Sequence, residues 1–136
     1  MNDGIKINVK CPECDESLMN SQFIIDDLPS IDLQAKILDK VGHLYLSQIY
    51  GSYNKEFIGI DNVDGAIVEI SCPKCYNAFP VQGICECKAP IVGFNMKIGG
   101  MIKVCTRNGC KKHSLEFEDG NAVFELFKNQ DSSGFG

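Results

Sequence analysis

The 136-residue sequence predicts a small, mainly β protein organised by cysteine clusters, and three observations predict it. Apolar residues alternate with polar ones over short runs, which is the period of a strand and not of a helix. Eight cysteines fall into four close pairs with none left over. One cysteine segment is echoed later in the chain with the same apolar flanks.

Ile5, Ile7 and Val9 alternate into Cys11, and Ile31, Leu33, Ala35 and Ile37 alternate through the next candidate strand. A helix over residues 31–41 competes there, because Leu33, Ile37 and Val41 also lie four apart; the alternation favours the strand. Gly42 is expected in a turn, with residues 43–50 as the returning strand and residues 66–71 as a further run into Cys72. Downstream, residues 91–97 and 101–105 flank Gly99-Gly100, a hairpin signal. Residues 114–118 and 122–127 flank Asp119-Gly120-Asn121, a second one, and residues 131–136 carry no packing pattern.

The cysteine pairs carry the chemistry. Cys11 and Cys14 are separated by two residues, as are Cys72 and Cys75; one residue lies between Cys85 and Cys87, and four between Cys105 and Cys110. Val9-Lys-Cys-Pro-Glu-Cys-Asp-Glu-Ser-Leu18 aligns with Ile70-Ser-Cys-Pro-Lys-Cys-Tyr-Asn-Ala-Phe79. Each reads as a strand entering a knuckle turn, in which backbone amides point at the thiolates and proline fixes φ after the first cysteine. The N-terminus has no basic start, apolar stretch or cleavage site of a secretory signal, so a cytoplasmic location is expected. In a reducing compartment such pairs read as metal ligands and not as disulfides. Zinc is the expected ion, two per chain, with iron the alternative at Cys11, Cys14, Cys72 and Cys75.

Four pairs make two sites in three ways. Loop closure disfavours interleaving by about 0.8 kcal/mol and separates the sequential from the nested grouping by only about 0.1 kcal/mol. Residues 85–113, with a tight cysteine turn, a hairpin at a glycine pair, then Cys105-Thr106 and Cys110, resemble the C-terminal four-cysteine zinc ribbons of bacterial type I DNA topoisomerases. The spacing departs from those ribbons in having one residue between Cys85 and Cys87. This resemblance implies that Cys85, Cys87, Cys105 and Cys110 share one site, which leaves Cys11, Cys14, Cys72 and Cys75 for the other. The two Cys-Pro-x-Cys knuckles resemble those of rubredoxin-like zinc ribbons, although this chain has no tryptophan. The fold class expected is therefore two zinc-ribbon-like sites with a β-strand insertion between the knuckles of the first. The expected division is residues 1–84, residues 85–130 with the ribbon and C-terminal hairpin, and a tail at 131–136. His113, three residues after Cys110, is a competing ligand.

Charge and motif content bound the function. The net charge is −5, yet residues 85–113 hold six basic side chains against Glu86. Closed four-thiolate sites leave no open position for hydrolytic chemistry, and no nucleophile elbow, P-loop or dinucleotide motif is present. A non-catalytic interaction module or accessory subunit of a larger complex, with another protein as partner, is the leading expectation. Tyr45, Tyr50 and Tyr53 could serve its surface. Single-stranded nucleic-acid binding through Lys97, Lys103, Arg107, Lys111, Lys112 and Phe94 is the second expectation. A rubredoxin-like iron electron carrier is the third.

Overall fold

The computed structural model describes residues 5–110 and the backbone of residues 113–116. It is a mainly β structure with no helix among the described residues, hence none long and apolar enough to cross a membrane. The strands are β1 (Val9–Lys10), β2 (Met19–Ile25), β3 (Leu28–Ile37), β4 (Lys40–Leu46), β5 (Lys55–Ile58), β6 (Glu69–Ser71), β7 (Val81–Ile84), β8 (Pro90–Met96), β9 (Met101–Cys105) and β10 (His113–Glu116).

They form two five-stranded antiparallel sheets. In the first, β9 and then β10 lie on one edge of β8, and the short strands β1 and β7 lie on its other edge. In the second, β4 and then β5 lie on one edge of β3, and β2 and β6 share the other. Strand β1 therefore belongs to the first sheet while β2, beyond the Cys11–Cys14 knuckle, belongs to the second. The Cys72–Cys75 knuckle makes the same crossing in reverse, from β6 in the second sheet to β7 in the first. Both strands that leave a knuckle shift register, β2 between Asn20 and Ile24 and β7 between Val81 and Gly83. Pairing also runs across residue 84, since β1 and β7 both pair with β8.

The inner faces pack on one another. Leu33, Ala35 and Ile70 from the second sheet and Val92, Phe94, Met96 and Ile102 from the first join Val9, Leu18, Cys11 and Cys72 in one buried cluster. Alternation on β3 is nearly perfect, with Ile31, Leu33, Ala35 and Ile37 buried and Lys36 exposed, so the strand reading prevails over the helical one. The expected hairpin at Gly99-Gly100 joins β8 to β9.

Gly42 corrects the expectation of a turn. The chain turns at Leu38-Asp39, and Gly42 lies inside β4 opposite Ala35. It is glycine because a Cβ there would run into the Ile58 carbonyl oxygen. The returning strand ends at Leu46, and residues 47–50 cross to the first β segment, where Ile7 donates to Gln48 and Tyr50 donates to Ile5 through their backbones. Strand β2 and its tight turn at Asp26-Asp27 were not expected from the alternation. Both aspartates sit at positive φ, a conformation aspartate tolerates better than most residues. The Asp26 carboxylate accepts hydrogen bonds from Ser47 Oγ, Ser52 Oγ and Asn54 Nδ2, each at 2.6 Å. These bonds hold its acid group below the usual carboxylate range. The hairpin expected around residues 119–121 and the 131–136 tail lie outside the described residues.

Two stability predictions follow from these contacts. Gly42→Ala should destabilise the fold by about 1–3 kcal/mol in denaturant titration, because backbone and not a pliable side chain occupies the space. Asp26→Ala should cost about 1–2 kcal/mol, discounted for its partial exposure. Because the folded-state pKa of Asp26 is lowered, its stabilisation is present above the ordinary carboxylate value and is lost as pH falls through the folded one. The difference between wild type and D26A should therefore shrink in strong acid and stay constant from pH 5 to 8.

Candidate metal centres

The two knuckles repeat one another bond for bond. Cys11 donates its backbone N–H to Glu16 and accepts at its carbonyl from Asp15; Cys72 donates to Asn77 and accepts from Tyr76. Asp15 and Tyr76 both hold φ at 64°, the left-handed residue that closes each turn. Leu18 then donates to Val9, and Phe79 to Ile70, so that the apolar residue four places after the second cysteine is pinned into the core. Amides reach the sulfurs as well: Glu13 N–H lies 3.3 Å from Cys11 Sγ, and Lys74 N–H lies 3.3 Å from Cys72 Sγ.

These two turns face one another and bring four sulfurs together. Cys11 Sγ stands 3.7 Å from Cys75 Sγ, and Cys14 Sγ stands 3.7 Å from Cys72 Sγ. In the second group Cys85 and Cys110 sulfurs are 3.7 Å apart, and Cys87 and Cys105 sulfurs 3.4 Å apart. Within each group all four sulfurs lie within 4.8 Å of one another, and none of the eight cysteines is in a disulfide. A tetrahedral ion with metal–sulfur bonds of about 2.3 Å sets its ligand sulfurs about 3.8 Å apart. The observed separations fit that geometry and are far too long for an S–S bond of about 2.05 Å. Tetrahedral four-sulfur coordination suits zinc and iron alike. The grouping implied by the ribbon resemblance is the one the fold brings together.

The electrostatics of the sulfurs differ within each group. Burial pushes the Cys11 thiol up to about 12, and burial does the same to Cys105. The Asn77 backbone amide pulls Cys75 down to about 7. The Ala89 backbone amide, followed by the Arg107 guanidinium, pulls Cys87 down to about 6. Each cluster thus pairs one thiol lowered by a backbone amide with one raised by burial, pulled in opposite directions. A divalent cation resolves that conflict by replacing the protons.

The second group is clamped to the second sheet by a feature with no distinct signal in the sequence. Residues 62–68, which lead into β6, pair with the loop that follows β9. Val68 donates to Thr106, Asn108 donates to Ala66, and Gly65 donates to Asn108. Asn108, buried, also donates from Nδ2 to Asn62 Oδ1 at 2.6 Å and to the Val63 carbonyl at 2.7 Å. Gly109 at φ 96° passes so close to Asp64 that a Cβ would meet its carboxylate at 2.6 Å.

The candidate nucleic-acid residues fare unevenly. Phe94, expected as a stacking platform, is fully buried and tilted against Phe79 at 5.3 Å between ring centroids, so it presents no face to a base. Its place in the alternation of β8 points it inward. Arg107 is committed within the chain, with Nη1 donating to the Gly65 carbonyl and Nη2 to the Cys87 carbonyl. Lys97 is exposed, and Lys103 is half-buried and engaged. Lys111 and Lys112 lie outside the described residues. His113 is described only by its backbone, which pairs with Val104.

No family model matches the chain, and neither does any curated protein or solved structure compared with it. The likeness to topoisomerase ribbons and to rubredoxin thus stands on residue spacing alone.

Proton and metal compete for the same sulfurs, so affinity should fall as pH falls. Chelator competition between pH 8 and 5 should show a loss of at least about tenfold per pH unit at each cluster, one factor of ten for each displaced proton. Cys72→Ser should remove about one bound ion per chain and Cys105→Ser the other, with the untouched cluster still loaded, as read by metal analysis after gel filtration.

Proposed function

We propose that each cluster holds one zinc ion and that the chain acts as a non-catalytic interaction module, an accessory subunit of a larger protein assembly in the cytoplasm. The observation that carries this reading is that all eight thiols are used in two closed four-sulfur groups, one of them at the crossing between the sheets. Four thiolates saturate zinc and leave no position for a water or substrate. Structural zinc supplies about 10–16 kcal/mol of apparent binding free energy in small peptides, comparable with the whole net stability of a domain, about 5–15 kcal/mol. The reading therefore assigns the metals to the fold and leaves function to the surfaces the fold presents.

Nucleic-acid binding through residues 85–113 is the weaker reading, since Phe94 is buried and Arg107 is engaged. An iron electron carrier at Cys11, Cys14, Cys72 and Cys75 shares the same sulfur geometry and differs in its colour.

Metal analysis of protein purified without added metal should find about two zinc ions per chain and a colourless solution. X-ray absorption at the zinc edge should show four sulfur scatterers and no light-atom ligand. A red protein with iron at one cluster would overturn the zinc assignment, and tight, steeply salt-dependent retention on single-stranded DNA or RNA would overturn the protein-partner reading in favour of the basic segment.

A further inference from the structure

The outer face of the second sheet carries a row of aromatic rings bracketed by carboxylates. Tyr45 on β4 lies directly opposite Asp32 on β3 and directly opposite Glu56 on β5. Residues opposite one another across a ladder share a face, so one phenol ring sits between two acids. Phe23, arching over from the register shift in β2, stacks on Tyr45 with ring centroids 3.9 Å apart and planes within 5°. His43 continues the row at 5.8 Å from Tyr45 and 12° from parallel. In the next positions Ile58 and Val41 are about half exposed on the same face, at 46% and 52%. The charged groups on this face are Asp32, Glu56, Glu69 and Lys36.

Of the acids at Tyr45, Glu56 is open to a ligand, and Asp32, whose side chain is 18% exposed, adds its charge from beneath. Glu56 is exposed and makes no ion pair among the described residues. Asp32 receives His43 Nδ1 on one oxygen at 3.0 Å and Asn20 Nδ2 on the other at 3.1 Å, which fixes the carboxylate and leaves further lone pairs. Burial, and then the negative charge of Asp32, push the Tyr45 phenol up.

We propose that this face is a docking surface for a partner protein segment that presents arginine beside small apolar residues, the guanidinium lying against the Phe23–Tyr45–His43 row and pairing with Glu56 and Asp32. Charge complementarity selects this occupant. A flat, weakly hydrated cation stacks on aromatic rings and forks onto carboxylates, which a lysine ammonium does less well. Bases also stack on such rings, but the acids beside Tyr45 repel the phosphates that come with them. A second copy of this chain brings its own net charge of −5. Val41 and Ile58 supply the apolar contact that flanks the cation site.

This inference rests on the interaction-module reading, and the test separates the two. The probe is acetyl-Arg-Val-Arg-Val-Arg-amide, titrated into metal-loaded, nitrogen-15-labelled full chain, alongside the same peptide with citrulline for arginine. Amide shifts should concentrate at Phe23, Asp32, His43, Tyr45 and Glu56, and the citrulline peptide should bind about tenfold more weakly or worse. Glu56→Gln should weaken the arginine peptide at least about threefold with metal content unchanged. Tyr45→Phe should retain binding, and Tyr45→Ser should lose it. Equal binding of the citrulline peptide, shifts centred on another face, or an oligothymidylate that shifts the same residues would each overturn the docking proposal. A chain that ignores the arginine peptide while carrying two zinc ions overturns this proposal alone. A chain purified with no metal in its clusters overturns the broader reading, whatever the peptide does.

Discussion

Four sulfurs at the crossing between two sheets are the constraint on which the rest of this structure depends. The Cys11–Cys14 knuckle hands the chain from the first sheet to the second, and the Cys72–Cys75 knuckle hands it back. Because the knuckles meet sulfur to sulfur, the two crossings are tied at one point, with Cys11 and Cys72 fully buried beside Val9, Leu18, Ile70 and Phe79. The sulfurs are therefore part of the hydrophobic core and not an appendage to it. A core of this size supports a modest stability, and a joint that fixes four backbone segments at once relieves it of much of the entropy of bringing them together.

The second cluster continues the same logic. It closes the far end of the β8–β9 hairpin, and its loop is fastened through Thr106 and Asn108 to the segment that enters β6. The three residues of β6 run from the end of that segment to Cys72, so they link the two clusters. The Arg107 guanidinium serves this joint, bridging the Gly65 and Cys87 carbonyls. What the sequence presents as a basic segment is in part internal scaffolding. The outer face of the second sheet is the surface we propose for recognition.

Much of this was legible in the residues, and for identifiable reasons. Knuckle turns are local: Pro12 and Pro73, the cysteine spacing and the apolar residues Leu18 and Phe79 determine their shape within ten residues, so the echo between them could be read directly. Alternation on β3 and the glycine pair at 99–100 are local signals too. Features that depend on distant neighbours were hidden. Gly42 reads as a turn residue until the Ile58 carbonyl is placed against it. Phe94 reads as a surface aromatic in a lysine-rich stretch until the inner face of β8 is known. Strand β2 is masked in the sequence because its bulge breaks the alternation, and only Asp26-Asp27 hints at the turn. The exchange of strands between sheets, and Asn108 as a clamp, have no distinct signal in one sequence.

The claim that the first cluster joins the sheets is tested most directly by amide hydrogen exchange on the metal-loaded chain and on a Cys72→Ser variant. If the joint holds the fold together, β3 and β8, the central strands of different sheets, lose protection together when that cluster empties, although neither contains the altered residue. Protection that persists in both strands after the metal is lost would contradict the account, and would mean that apolar packing alone holds the sheets together.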